Sequence, residues 1–204
     1  MRRHSAGRRL VLIVLAIAAA TTAGAIAIAA TRGEQPRAFG RPASAGDALP
    51  ISAARFLKPG ASRRIATFSS ANDTPHSVFM TRSKDDTQIC VWDTDVTSGA
   101  QSGGCNPTAN FFAGHAFTLS LAYDGGPAIT TVRDARIVGV VTDAVATLEV
   151  VYADGTEKQI GLTRDRGFAY TVPNGLLHRG VGPVALVARS ASGAVLDKQV
   201  TGIG

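Results

Sequence analysis

The chain has 204 residues, of which 45% are hydrophobic and 18% charged, with 22 glycines. That composition suits one globular domain plus a targeting segment and excludes a disordered chain. The net charge of +6 loses its apparent meaning once it is located. Arg2, Arg3, Arg8, Arg9 and Arg32 flank one apolar stretch; taking these five from 21 basic residues leaves 16, against 15 acidic ones, from Gly33 onward. Nucleic-acid binding needs positive charge clustered on the folded domain, and a near-neutral domain does not supply it.

Leu10 to Ala30 reads LVLIVLAIAAATTAGAIAIAA, 21 residues without a charge or a proline. As a helix it would be about 31 Å long, matching a hydrocarbon core of about 30 Å. Four arginines precede it within nine residues, so the positive-inside rule places the N-terminus in the cytoplasm. The reading is a single-pass signal-anchor: a cytoplasmic 1–9, a transmembrane helix 10–30 in contact with the lipid bilayer, and an extracytoplasmic remainder. The alternative is secretion after signal cleavage, because Leu10 to Ile17 has h-region length and Ala25-Ile26-Ala27 fits a small-residue cleavage site. No cysteine follows the segment directly, which excludes a lipoprotein anchor. Ala16, Ala20 and Gly24 share a helix face at four-residue spacing, a pattern that packs helices and that an alanine-rich segment also shows by chance. About nine residues inside the cell leave no room for a folded signalling domain there.

Residues 31–50, TRGEQPRAFGRPASAGDALP, show no period and are rich in Gly, Pro, Ala and Arg. They read as a flexible linker, reaching at most about 65 Å when extended. Ile51 to Lys58 is ambiguous and compatible with a short helix. Beyond it, alternation of period two predicts strands. Ser77 to Thr81 and Gln88 to Asp93 flank a polar turn. Phe117, Leu119, Leu121 and Tyr123 share a face, and Asp124-Gly125-Gly126 ends the run. Ile137 to Val141 is a compact buried strand. Leu148, Val150 and Tyr152 lead into Asp154-Gly155, a hairpin signal, with Ile160 and Leu162 on the return. Phe168, Tyr170 and Val172 form the next strand, and Val184 to Arg189 joins Val195 to Val200 across Ser192-Gly193. The expected fold is mainly β, an Ig-like β-sandwich ectodomain of eight or nine strands, with no long amphipathic helix. Residues 51–135 form its disulfide-containing N-terminal part and 136–204 a C-terminal β-sandwich part. The second is too small to hold a large core alone, so the two are expected to pack together.

Cys90 and Cys105 are the only cysteines. In an exported chain they read as one disulfide, closing a polar loop from Asp93 to Gly104. Their spacing is not the Cys-x-x-Cys of a redox pair.

Catalytic signals are sparse. No Gly-x-Ser-x-Gly elbow occurs, and His76, His115 and His178 lie beside expected loops and read as surface or turn residues. Asp85-Asp86 fits a turn. Asp93 to Gly99 resembles a calcium loop only loosely, its glycine one position late and its closing glutamate missing. Glycine-rich stretches do not open helices, so phosphate cradling is unsupported. Asn72-Asp73-Thr74 is a formal glycosylation sequon. No catalytic residue, metal site or cofactor is expected.

Ser62-Arg63-Arg64, Cys90-Val91-Trp92, the glycine-rich run to Cys105, and Ile137 to Asp143 leading to Asp154-Gly155 resemble membrane-anchored extracytoplasmic proteins of actinobacteria. The resemblance covers about residues 60 to 200. It implies an anchored β ectodomain and brings no catalytic or binding residues. The expected function is a non-enzymatic interaction or envelope structural module whose partner is an envelope protein or the cell wall. The alternative is an extracytoplasmic enzyme using His115 or His178 with a nearby Asp.

Overall fold

In the computed structural model, alternating segments become strands that share two cores through one middle sheet. The structure describes residues 34–49, 57–58, 60–125, 132–177 and 181–203. The expected membrane helix 10–30 and most of the ambiguous segment 51–58 lie outside these residues. Among the described residues, no helix is long and apolar enough to cross a membrane.

Eleven strands form among the described residues: β1 (Arg63–Ser69), β2 (Pro75–Arg82), β3 (Gln88–Asp95), β4 (Gln101–Pro107), β5 (Phe117–Gly125), β6 (Val132–Val141), β7 (Thr147–Tyr152), β8 (Glu157–Ile160), β9 (Gly167–Val172), β10 (Pro183–Arg189) and β11 (Val195–Val200). They make three antiparallel sheets, ordered β1-β2-β3-β4, β5-β6-β9 and β11-β10-β7-β8. The protein is thus mainly β, as its alternation implies. Asp154-Gly155 turns the β7–β8 hairpin, with Gly155 at φ +82°, a left-handed conformation that glycine adopts without steric cost.

Two apolar cores lie on opposite faces of β5-β6-β9. Phe117, Ile137, Leu148, Val150, Phe168 and Leu186 belong to the core shared with the β11-β10-β7-β8 sheet. Ile65, Val78, Met80, Ile89, Val138 and Val140 belong to the core shared with the β1–β4 sheet. The strand β6 contributes to both, since period two sends Ile137 and Val141 one way and Val138 and Val140 the other. Between them Gly139 is forced: a Cβ there would lie 2.1 Å from the Thr118 carbonyl and 2.6 Å from the Phe168 ring. Burying a phenylalanine such as Phe117 or Phe168 contributes about 1.5–3 kcal/mol.

The segment from Asp93 to Gly104 is a hairpin and not the single loop expected. The strand β3 continues to Asp95, and β4 returns from Gln101. Cys90 and Cys105 face each other across β3 and β4 and are joined by a disulfide. The bridge ties an edge strand to its neighbour, because β4 is mostly exposed and brings little apolar area of its own.

Residues 34–49, which composition marks as part of a tether, are packed on the domain. Ala38 is fully buried in the second core, and Arg82 lies over the Phe39 ring at 4.5 Å. Arg41 joins Asp47 at 2.7 Å and Asp165 at 2.7 Å. Asp47 is buried and also accepts the backbone N–H groups of Ser44 and Arg64, each at 2.7 Å. The Arg41 hydrogen bond, and then these N–H groups, hold its carboxyl far below the ordinary carboxylate range against the opposing cost of burial. A depressed folded-state pKa stabilises the fold at pH values above the unfolded value of about 3.9. That stabilisation disappears as pH falls through the depressed value. Replacing Asp47 by Asn is therefore expected to cost about 2–3 kcal/mol at neutral pH. The difference from wild type should shrink progressively below about pH 4. Urea unfolding of both proteins from pH 7 downward measures this, and a pH-independent difference would refute the ion-pair account.

Candidate functional site

The same alternation that builds the second core carries charges into one end of it. On β2, His76 has the parity of Val78 and Met80; on β3, Asp93 has the parity of Ile89 and Val91. On β6, Asp134 and Arg136 have the parity of Val138 and Val140. Register pairing sets Val78 opposite Asp93 and so brings His76 and Asp93 together, and Arg136 reaches Asp93 from the middle sheet. His76, Asp93, Asp134 and Arg136 are 4%, 2%, 0% and 3% exposed, so water contributes little to their solvation.

They pair with one another, although Asp134 Oδ1 is left without a hydrogen-bond partner among the described residues. The His76 Nδ1 lies 2.9 Å from Asp93 Oδ1, and Arg136 Nε donates to Asp93 Oδ2 at 2.7 Å. A second arm of Arg136 donates to Asp134 Oδ2 at 2.6 Å. Phe68 stacks on the imidazole at 5.3 Å between ring centres. One guanidinium thus faces two carboxylates, one of which also meets the imidazole. Breaking one member strands the others in a dry interior, where an unpaired charge costs several kcal/mol.

A cavity of about 130 Å³ touches this cluster and is lined by His76, Asp93, Arg136, Gln101, Ser102 and Tyr123, among others. Ser102 sits directly opposite Asp93 in the β3–β4 register. Asp93 orients the ring through Nδ1, and Nε2 has no hydrogen-bond partner among the described residues. This is the geometry of an oriented imidazole beside a small polar chamber. A separate cleft of about 400 Å³ at the same end is lined by Tyr152, Asp154, Lys158, Pro173, Leu176 and Val181, among others. The Tyr152 and Tyr170 hydroxyls are hydrogen-bonded, and burial followed by that bond pushes the Tyr170 phenol well above its ordinary value.

The expectation that His76 is a surface or turn residue is corrected: it lies in β2 and is buried. Its period-two relation to Val78 and Met80 was the available signal. Its partners, 17 residues away in Asp93 and then 43 further in Arg136, were not visible in local pattern. His115 lies in the loop before β5, half exposed, with Nδ1 3.2 Å from Asp197 Oδ2. That carboxylate also accepts the Ala116 N–H and a Gln199 side-chain N–H, so it closes the exposed edge of β5. His178 lies outside the described residues. Asp93 and Asp95 do not act together: Asp95 caps the Thr97–Ser98 turn, and the Ser98 hydroxyl followed by its N–H lowers its pKa. Asp85 accepts Ser83 and Thr87 in the β2–β3 turn, while Asp86 pairs with Lys58. Among the described residues, no group of three or more His, Cys, Asp or Glu could hold a metal ion.

Comparisons with known protein families, with curated proteins and with solved structures find no match to this chain. The site is therefore read from its own geometry. Replacing Asp93 by Asn should cost about 3–5 kcal/mol, because it leaves Arg136 and His76 buried without their shared anion. Replacing Asp95 by Asn, a turn residue near solvent, should cost about 1 kcal/mol or less. Denaturant midpoints of the two variants check this, and equal losses would show that the cluster carries no special share of stability.

Proposed function

We propose that the chain is a membrane-anchored extracytoplasmic module that binds a partner or reinforces the cell envelope without catalysis. The observation that carries this reading is the Cys90–Cys105 bridge, which uses both cysteines of the chain and is characteristic of an oxidising compartment. The basic and then apolar start of the sequence supports a span from residue 10 to 30 with residues 1–9 inside. The three-strand and four-strand sheets β5-β6-β9 and β11-β10-β7-β8 support an immunoglobulin-type sandwich, an architecture whose end loops and edges serve recognition. The edge strand β11 exposes Val195 and Val200, which agrees with a contact surface for an envelope protein or a cell-wall component. Secretion after cleavage is the competing location. Intact mass of the membrane fraction should give the uncleaved chain, with Cys90 and Cys105 resistant to a thiol reagent until reduction. Recovery from the cytosol with both thiols reactive would overturn the placement.

One observation favours an enzyme as the second reading. His76 is backed by Asp93 and lines a cavity with Ser102, a closer approach to acid–base machinery than the half-exposed His115–Asp197 pair. On that reading a serine-directed fluorophosphonate labels Ser102, and the labelling disappears in a folded His76→Gln variant. An unlabelled Ser102 in the native protein rules it out.

A further inference from the structure

The packed segment 34–49 fixes how the domain meets the membrane, given the anchored reading proposed above. Consecutive antiparallel strands give the molecule two ends. The end where Glu34 enters carries the β6–β7 turn: the Asp143 N–H donates to the Glu34 carboxylate at 2.9 Å, and Arg37 pairs with Asp143 at 3.0 Å. The registers put the loops that precede β5 and β9 and the β10–β11 turn at this same end. The β2–β3 turn joins them because Thr163 donates to the Ile65 carbonyl and Thr171 to that of Ser69, which aligns β1 with β9. The opposite end carries the β7–β8 turn and both the His76 cavity and the Tyr152 cleft.

The apolar run ends at Ala30, and only Thr31, Arg32 and Gly33 separate it from Glu34. Four Cα steps reach at most about 14 Å. The polar headgroup layer itself occupies about 5–8 Å on each side of the hydrocarbon. We infer that the domain stands end-on against the bilayer, its Asp143 end in contact with the lipid headgroups. A strand of ten residues such as β6 is about 33 Å long, so the opposite end is held about that far from the headgroups. The long stand-off expected of a free 20-residue linker does not apply, because Asp47, Arg41 and Ala38 hold that linker down.

The chemistry of the near end fits headgroups. Arg37, Lys84 and Arg164 are exposed there, alongside Asp143 and Asp85, a polar surface of mixed charge in which Val195 is the one large exposed apolar side chain among the described residues. The far end, with its two cavities, faces outward, where a soluble or wall-bound partner can reach it.

Single cysteines test the orientation, since the native pair is already bridged. The full chain is reconstituted in phosphatidylcholine–phosphatidylglycerol vesicles with a fluorophore at Ala144→Cys, in the exposed β6–β7 turn, or at Ala153→Cys, in the exposed β7–β8 turn. Lipid carrying a headgroup nitroxide should quench the Ala144→Cys label several-fold more than the Ala153→Cys label. A Gly-Ser insertion of linker length between Gly33 and Glu34 should abolish the difference while the protein still floats with the vesicles. Equal quenching at both sites in floating protein overturns the end-on orientation and leaves the anchor standing. Protein that does not float with vesicles overturns the anchor and the orientation together.

Discussion

A strand buried on both faces has to place every side chain against protein, and β6 is that strand. Ile137 and Val141 serve one core, and Val138 and Val140 serve the other. The backbone of Gly139 is approached so closely by Thr118 and Phe168 that no side chain fits. Asp134 and Arg136 are buried on β6, and Arg136 reaches across to Asp93 on another sheet and back to Asp134 on its own. Apolar packing alone is tolerant of small slips in how sheets stack. A guanidinium with two fixed carboxylates is not, because losing either bond exposes charge to a low-dielectric interior. The buried cluster is thus the register pin between the middle sheet and the β1–β4 sheet, and the small chamber beside His76 is a consequence of where that pin sits.

How much of this was legible follows from what each strand buries. β7 alternates between partly and fully buried residues, so its period of two was plain from Leu148, Val150 and Tyr152. β9 is legible for the same reason, and the Asp154-Gly155 and Ser192-Gly193 turns mark the β7–β8 and β10–β11 hairpins. β1 was not, because a register shift between Arg64 and Ala66 lets Ile65 and Ala66 both point inward and breaks the alternation. β4 reads Gln-Ser-Gly-Gly-Cys-Asn-Pro and has no large apolar residue. Its strand character comes from pairing with β3, a long-range property that composition registers as loop. His76 was misread for a related reason: a histidine on a core face is indistinguishable locally from a turn histidine until its carboxylate is in place.

The segment 34–49 shows the opposite failure, with composition overstating freedom. Glycine, proline and serine make it look like a tether, yet a buried alanine, a buried carboxylate and the ion pairs of Arg37 and Arg41 hold it to the domain. Asp47 accepts hydrogen bonds from Arg41, Ser44 and Arg64, so it fixes the segment to itself and to β1 at once. Charge-assisted bonds of this kind are stronger than neutral ones and depend on a few atoms, which no periodicity reveals.

The two arginine-centred sites divide the work of positioning. Arg136 fixes sheet against sheet inside the fold, while Arg41 fixes the entering chain against its outside, bridging Asp47 on the strap to Asp165 in the β8–β9 connection. Because Asp165 lies two residues before β9, the strap is tied to the connection that leads into the middle sheet. A pull or a tilt applied at Glu34 is therefore transmitted to β9 and, through its ladder, to β6. An exposed ion pair would yield to such a load, since it contributes little beyond its neighbours. Asp47 is buried and multiply bonded, which is the condition under which a short entering segment behaves as part of the domain and its orientation becomes a property of the fold.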